Sequence, residues 1–297
     1  GKAAKGEGDS RSWPMFTSCC PGWVRFVKAR YPEFVDSLST SKSPQQMFGA
    51  IAKSYYAQKL GKSAKDIFCV SVMPCVAKKF ESKREEMEVE GLRDVDAVIT
   101  TRELARMIKE CGIDFVNLPD EPFDDMLGDS TGAGAIFGAT GGVMEAALRT
   151  ANDWLTGKDN LDIDFTAVRG TDSIKEASVD IAGMTVKVAV ASGGNAANEI
   201  MKKVRSGEAD WTFIEIMGCP GGCVNGGGQP IQPQYVRDTV DLKAVRAKAL
   251  YDQDAAMTLR KSHESPVVKA LYSEWYDGFG GHKAHHDLHT SYVARKR

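Results

Sequence analysis

Apolar and polar positions change period often enough along this chain to mark out its elements. The 12 residues ahead of the first apolar cluster, Trp13-Pro14-Met15-Phe16, are small, charged and glycine-bearing, and read as a flexible lead-in with order beginning near Trp13. From Pro21 a helix carries Trp23, Phe26 and Val27 on one face until Tyr31-Pro32 stops it. A second helix is bracketed by Ser43 as N-cap, Pro44 in the first turn, Gln46 completing a capping box and Gly61 as the stop. Ile67 to Met73 is a continuous apolar run and reads as a buried strand, while residues 80–94 are strongly charged and read as a solvated connection. Val95 to Ile99 predicts a short strand, Thr100 with Glu103 caps a helix through Glu110, and Gly112 closes it.

From Asn117 to Phe137 acidic and glycine residues mix without period, which predicts a long loop before a helix from Val143 to about Leu155. Residues 174–191 alternate as a hairpin turning near Ala182-Gly183, followed by a helix from Asn195 to Arg205 and a strand from Trp211 to Met217. Strand, helix, strand implies parallel pairing, so the expected class is α/β. One weak echo runs through the pattern: Ile67 to Cys75 and Phe213 to Cys219 are both apolar strands ending in Met-x-Cys. Ligands of open α/β sheets collect outside the carboxyl ends of strands, so two lobes each presenting a cysteine tip to one cleft fit the pattern. Helices near Leu242 to Tyr251 and, capped by Ser265, Pro266 to Tyr276 precede a histidine-bearing stretch from His282 to His289.

Composition narrows the class. A chain of 297 residues with 42% hydrophobic content can bury a sizeable core, and a net charge of -2 argues against a nucleic-acid binder. No apolar run approaches the length of a membrane helix and the start lacks an apolar signal core, so the expected location is cytoplasmic. Seven cysteines are an odd number in a chain too large to need disulfide staples, which favours metal or redox chemistry.

The cysteines sit in unusual places. Cys219 and Cys223 lie four residues apart within a run that also holds Gly218, Gly221, Gly222, Gly226, Gly227 and Gly228. Glycine lets backbone N–H groups turn toward the sulfurs of an anionic cluster. With Cys20, just ahead of a helix N-terminus, and Cys75, at a strand end, they make a four-thiolate set suited to zinc or a 4Fe-4S cluster. The bland alternative, four buried structural cysteines, requires three separate motifs to coincide. Cys69 and Cys111 read as core residues. Cys19 beside Cys20 diverges from it and is left as a free thiol able to pass protons. Lys78, three residues after Cys75, is either a solvated lysine or a hydrogen-bond donor to an anionic cofactor. Met73 and Met217 suit a soft site or a plain core equally, and His282, His285, His286 and His289 fit a polar tail helix better than a metal site.

Three segments together carry a resemblance. Thr17-Ser18-Cys19-Cys20-Pro21-Gly22-Trp23, Met73-Pro74-Cys75-Val76-Ala77-Lys78-Lys79-Phe80-Glu81 and the stretch from Glu215 through Met217, Cys219 and Cys223 to Pro230 closely resemble the three signatures of [FeFe]-hydrogenases, in order. Ser43-Pro44-Gln45-Gln46-Met47 extends the likeness. Residues from about 240 to 297, with Leu259-Arg260-Lys261-Ser262-His263-Glu264-Ser265-Pro266, resemble a portion that some members carry as a separate small subunit.

The resemblance implies a single catalytic domain over 13–297, two α/β lobes with mostly parallel sheets flanked by helices, and an H-cluster buried in the cleft between them. That cofactor is a 4Fe-4S cubane joined to a two-iron unit bearing CO, cyanide and an azadithiolate. Carried over by position, Cys20, Cys75, Cys219 and Cys223 hold the cubane and Cys223 bridges to the two-iron unit. Cys19 relays protons, with Ser39 continuing the relay, and Lys78 hydrogen-bonds a cyanide. Met73, Pro44, Gln45, Phe137 and Met217 line the pocket. The implied activity is reversible reduction of protons to H2 with electrons from a ferredoxin or a cluster-bearing subunit, the two-iron unit being installed by maturation proteins. A non-catalytic relative, an assembly factor or H2 sensor, is the alternative. Members of the family carry a longer stretch before the first signature, including glutamates of the proton path, whereas 18 residues precede Cys19 here. The expectation is therefore a fragment, an incomplete subunit or an unusually small enzyme.

Overall fold

The computed structural model describes residues 14–294 apart from 123, 125–127 and 129; the expected lead-in at 1–12 and the onset of order at Trp13 lie outside the described residues. In chain order, β1 (Met15–Phe16) leads to α1 (Pro21–Arg30), and α2 (Pro44–Ile51) continues through a π-helical stretch, Ala52–Tyr56, into α3 (Ala57–Lys59). Then come β2 (Val70–Met73), α4 (Lys78–Glu81), the short pair β3 (Glu88–Val89) and β4 (Leu92–Arg93), β5 (Ala97–Thr100) and α5 (Thr101–Glu110). After α6 (Gly132–Ile136) and α7 (Gly142–Thr156) lie β6 (Ile174–Ile181), β7 (Met184–Ser192), α8 (Gly194–Ser206) and β8 (Phe213–Met217). The remaining helices are α9 (Gln234–Thr239), α10 (Leu242–Ala256), α11 (Pro266–Ala270), prolonged by a π-helical stretch Leu271–Trp275, and α12 (His282–Leu288).

Mostly parallel sheets flanked by helices make this an α/β fold. The larger sheet has the order β1-β8-β7-β6, with β1, β8 and β7 parallel and β6 antiparallel to β7; β2 and β5 form a second, parallel sheet. Alternation along β7 and β8 decides how the larger sheet is covered. Ala189, Ala191, Ile214 and Ile216 pack with Trp23, Val27 and Ile200 of α1 and α8, while Val188 and Val190 pack with Met144 and Leu148 of α7 on the other face. Helices thus bury both faces, as a largely parallel sheet requires. Consequently the carboxyl ends of β8 and β2, where Met217 and Met73 stand, open toward the cysteine segments described below.

The Thr100–Glu103 capping box, the αL stops at Gly61 and Gly112, the Ala182-Gly183 turn and the cap of α11 by Ser265 all form as the sequence predicts. Five expectations do not hold. The Ile67 to Met73 run is a strand only over Val70–Met73 and is not buried, because its alternate residues Phe68, Val70 and Val72 face outward and are exposed. The expected loop from Asn117 to Phe137 contains α6, which Thr131 caps by accepting from Gly134 N. Ser43 precedes α2 but makes no cap: its hydroxyl donates to Glu81 at 2.7 Å, and the Gln46 side chain, expected to complete the box, is buried with no hydrogen-bond partner among the described residues. The 80–94 segment is not a solvated connection, because Glu81, Ser82, Arg84, Met87 and Asp94 are buried around α4 and the β3–β4 pair. Cys111 is exposed at the end of α5 rather than part of a core, while Cys69 is half-buried.

The tail after residue 240 is fastened to the body by buried charge. Arg149 of α7 is fully buried and forks onto both oxygens of Asp254 in α10, each at 2.8 Å, and it also meets Glu145 at 2.8 Å and the Arg260 carbonyl at 2.9 Å. Leu271, Tyr276, Ala284 and Leu288 pack with Met47, Ile51 and Tyr55, so the tail covers the α2 helix as well. Removing one partner of a buried pair strands the other charge, at a cost of about 3 to 5 kcal/mol. Asp254→Ala should therefore lower the urea midpoint by that equivalent with an unchanged slope, measured on the whole chain.

Candidate functional site

Each of the four cysteines stands where an element ends. Cys20 occupies the turn from β1 into α1, immediately before Pro21 in the helix's first turn. Cys75 and Cys219 each lie two residues beyond the last residue of a parallel strand, β2 and β8 respectively, and Cys223 opens a single 3-10 turn, Cys223–Asn225. All four, together with Cys19, Lys78 and Met217, line one cavity.

Glycine makes this approach possible. A Cβ on Gly226 would lie 2.1 Å from the Pro74 carbonyl oxygen, and Gly228 N–H donates to that same oxygen at 2.8 Å, so the Cys223 loop lies flush against the Cys75 segment. Gly222 has φ +98, and a Cβ there would meet Thr140 N at 2.6 Å. Any side chain at either position would push the segments apart.

Backbone N–H groups point at the sulfurs. Gly218 N donates to Cys20 Sγ at 3.2 Å, Cys75 is met by the backbone of Lys78 and Ala77, and Cys219 by that of Gly227. Such donors stabilise thiolate, yet burial outweighs them and raises the pKa of Cys75 and Cys219, and that of Cys223 to about 12 with Cys20's charge adding. The resistance of Cys75, Cys219 and Cys223 to ionisation is what a cationic metal centre reverses on binding, because it replaces the protons. The donor set is all sulfur and already supplied with N–H groups, so these residues fit a four-thiolate cluster. Among the described residues Asp153, His263 and Glu264 also have metal-ligand character, but Asp153 and Glu264 already pair with the Lys261 ammonium and His263 meets Asp153, which makes them an ion-pair network.

Cys19 is kept a thiol: burial raises its pKa, Cys20 adds to the rise, and Lys78 opposes it. Lys78 itself is 7% exposed, not a solvated surface lysine. Burial alone would strip its proton, but Glu81 and then Cys19, Cys223 and Cys75 hold the ammonium, raising its pKa overall. Its Nζ lies 3.4 Å from both the Cys19 carbonyl oxygen and Glu81 Oε2. Glu81 in turn accepts from Ser43 Oγ and Gln45 Nε2, each at 2.7 Å, and Gln45 Oε1 accepts from Ser71 Oγ at 2.7 Å. A buried network running from α2 through α4 to β2 thus aims the ammonium.

The other expected residues are distributed around this centre. Met217 lines the cavity; Met73, Gln45, Pro44, Phe137 and Ser39 are not among its lining residues. Gln45 serves the Glu81 network, Met73 ends β2, Phe137 is half-buried after α6, and Pro44 is exposed. Ser39 N–H donates to the Phe16 carbonyl at 2.7 Å, which sets residues 38–41 beside the strand leading to Cys19. Sequence reasoning missed Glu81, hidden in a charged run, although its place three residues after Lys78 was a usable signal. It also assigned nothing to Glu215, a lone acid in the apolar strand β8.

Residues 4–227 match the family model described as iron only hydrogenase large subunit, C-terminal domain, and residues 240–295 match that of the iron hydrogenase small subunit. Iron hydrogenase 1 of Clostridium pasteurianum is 50% identical over 281 residues, covering 94% of this chain and 49% of that protein. The NADP-reducing hydrogenase subunit HndD of Solidesulfovibrio fructosivorans is 50% identical over 284 residues, 96% of this chain and 48% of its own. The chain thus spans about half the length of the curated relatives it matches. Protein NAR1 of Arabidopsis thaliana is 32% identical over 97% of this chain and 63% of that one. Among solved structures, a variant of the [FeFe]-hydrogenase HydA1 from Chlamydomonas reinhardtii superposes with a TM-score of 0.82 at 40% identity, over 96% of this chain and 77% of that one.

Proposed function

This chain belongs to the iron-only hydrogenase family, and from that premise we propose that it is a catalytic H-cluster domain, interconverting protons and H2. The observation that carries the reading is the convergence of four cysteines, a fifth thiol kept protonated and a buried lysine on one cavity at the ends of parallel strands. Cys20, Cys75, Cys219 and Cys223 would hold the cubane, Cys223 also bridging to the two-iron unit. When bound, the cluster supplies the redox chemistry of hydrogen. The chain's own residues would do the rest: Lys78 would neutralise the cyanide ligands, Met217 would exclude water, and Cys19 would hold and pass the proton, with Ser39 next in line. Met73, Pro44, Gln45 and Phe137 would act from further out, Gln45 by holding Glu81.

Residues 13–297 form the domain, with about 240–297 corresponding to the small subunit of split relatives. Electrons would come from a ferredoxin or a cluster-bearing subunit. Among the described residues no helix is long and apolar enough to cross a membrane, and a cytoplasmic location is part of the proposal. The alternative is a non-catalytic iron-sulfur protein, favoured by relatives such as the cytosolic Fe-S cluster assembly factor of Danio rerio, 30% identical over 97% of this chain.

Infrared spectroscopy of anaerobically matured protein separates the two, since only the two-iron unit gives iron-bound CO and cyanide bands; a matured protein that holds a cubane but shows no such bands leaves the assembly-factor reading. Lys78→Asn removes a charged hydrogen bond worth roughly 1.5 to 3 kcal/mol from that unit. It should weaken the bands while iron analysis still shows a full cubane, and equal loss of both would point to misfolding.

A further inference from the structure

Glu215 is fully buried on β8, four residues before Cys219, on the sheet face that α7 covers. Both of its carboxylate oxygens are taken by backbone: Oε1 accepts from Gly141 N at 2.6 Å and Oε2 from Met144 N at 2.7 Å. These are donors at the start of α7, a helix of 15 residues whose N-cap is a glycine with no side chain to offer, so Glu215 caps it from another strand. On the far side, the buried Lys175 of β6 donates from Nζ to the Thr140 carbonyl at 3.1 Å and to the Gly170 carbonyl at 2.9 Å.

The Thr140 carbonyl and the Gly141 N–H belong to one peptide bond. A cation sits on its oxygen and an anion on its hydrogen, which aligns both charges with the peptide dipole. The orientation needs holding: Gly141 has φ +91, and a Cβ there would lie 1.9 Å from the Val168 carbonyl oxygen. That same turn grips the cysteine loop, since Thr140 N donates to the Gly221 carbonyl at 3.1 Å and Val224 N donates to the Gly138 carbonyl at 2.9 Å, on either side of Cys223.

We propose that Glu215 and Lys175 are positioning residues that clamp the Thr140–Gly141 peptide from its two ends and through it fix the Cys219–Cys223 loop and its local charge. This rests on the reading of Cys219 and Cys223 as cluster ligands. The clamp is electrically balanced only while Lys175 is charged. Burial lowers its pKa to about 8 against the attraction of Glu215 and Asp172, and Glu215 is also felt by Cys19 and, with Glu145, Arg169 and Arg149, by Tyr251. Burial raises the pKa of Glu215 itself, opposed by the Gly141 and Met144 N–H groups and by Lys175, and those donors favour its ionised form; below about pH 8 the ammonium offsets that carboxylate, and above it the buried anion is unbalanced. An added negative charge disfavours accepting an electron, so the midpoint potential of a cubane on this loop should fall as pH rises through 8.

The test uses whole protein reconstituted with iron and sulfide but not exposed to maturation proteins, so that only a cubane is present. Midpoints are read by EPR-monitored titration from pH 6 to 10 in wild type, Lys175→Met and Glu215→Gln. Wild type should show the fall; Lys175→Met should sit at the low end throughout, Glu215→Gln should shift upward, and both should lose iron to a chelator about tenfold faster, the scale of one charged hydrogen bond. Loosening of the loop alone would not move the two potentials in opposite directions. If wild type takes up no cubane, the ligand reading is at fault. If it takes one up and its midpoint is flat across pH 8, or if both variants titrate like wild type, the clamp is overturned. The wild-type profile decides the matter even where a variant fails to fold.

Discussion

Cys19→Ser should assemble the full cluster, with wild-type iron content and iron-bound CO and cyanide bands, yet lose hydrogen turnover by about 10² to 10⁴ fold, the usual contribution of a positioned proton donor. The structure supplies the reason for separating these two outcomes. Cys19 lines the same cavity as the four proposed ligands, but those four complete the thiolate count of a cubane, so Cys19 is left as a free thiol whose proton can be passed on. A serine hydroxyl is of similar size but a far weaker acid, so geometry survives while transfer fails. Parallel loss of iron and bands in Cys19→Ser would recast the residue as structural, and full activity would remove the relay altogether.

The contrast with Lys78 shows what sequence could and could not disclose. The meeting of Cys20, Cys75, Cys219 and Cys223 in one cavity was legible because each stands beside a proline or glycine near an element boundary, and those are local signals. So were most helix and strand limits, where Thr100 with Glu103 or Ala182-Gly183 announces itself. The burial of Lys78 was not, because nothing adjacent to it is responsible. Its partner Glu81 is held by Ser43 and Gln45, whose side chains are 38 and 36 residues away in the chain. Ser43 looked like a helix cap for the same reason: in the sequence a serine before a proline has one obvious use, whereas in the fold a buried carboxylate claims its hydroxyl. The Thr140–Gly141 peptide is harder still, since Lys175 and Glu215 reach it from two different strands. Local periodicity marks elements; which buried charges meet is decided by how those elements pack.

Cys223→Ser should have the largest effect on the protein's metal content: loss of the two-iron unit, with no CO or cyanide bands, and a cubane depleted in iron. Cys223 is the one cysteine proposed to serve both parts of the cofactor. It sits beyond Gly222, whose backbone at φ +98 brings the loop against Gly138, Ala139 and Thr140, so no other thiol takes its place without moving that turn. Its pKa of about 12, set mainly by burial, means that the free protein holds the proton and a metal must displace it. Iron uptake by the apo protein should accordingly release protons and strengthen as pH rises, and this dependence should flatten in the serine variant, whose hydroxyl does not ionise in the same range. Cys111→Ser, at an exposed helix end, is the matched control and should change neither cluster. Survival of normal iron content and bands in Cys223→Ser would show that the ligand set has been drawn wrongly, with Cys19, the remaining cysteine of the same cavity, as the next candidate for the fourth position.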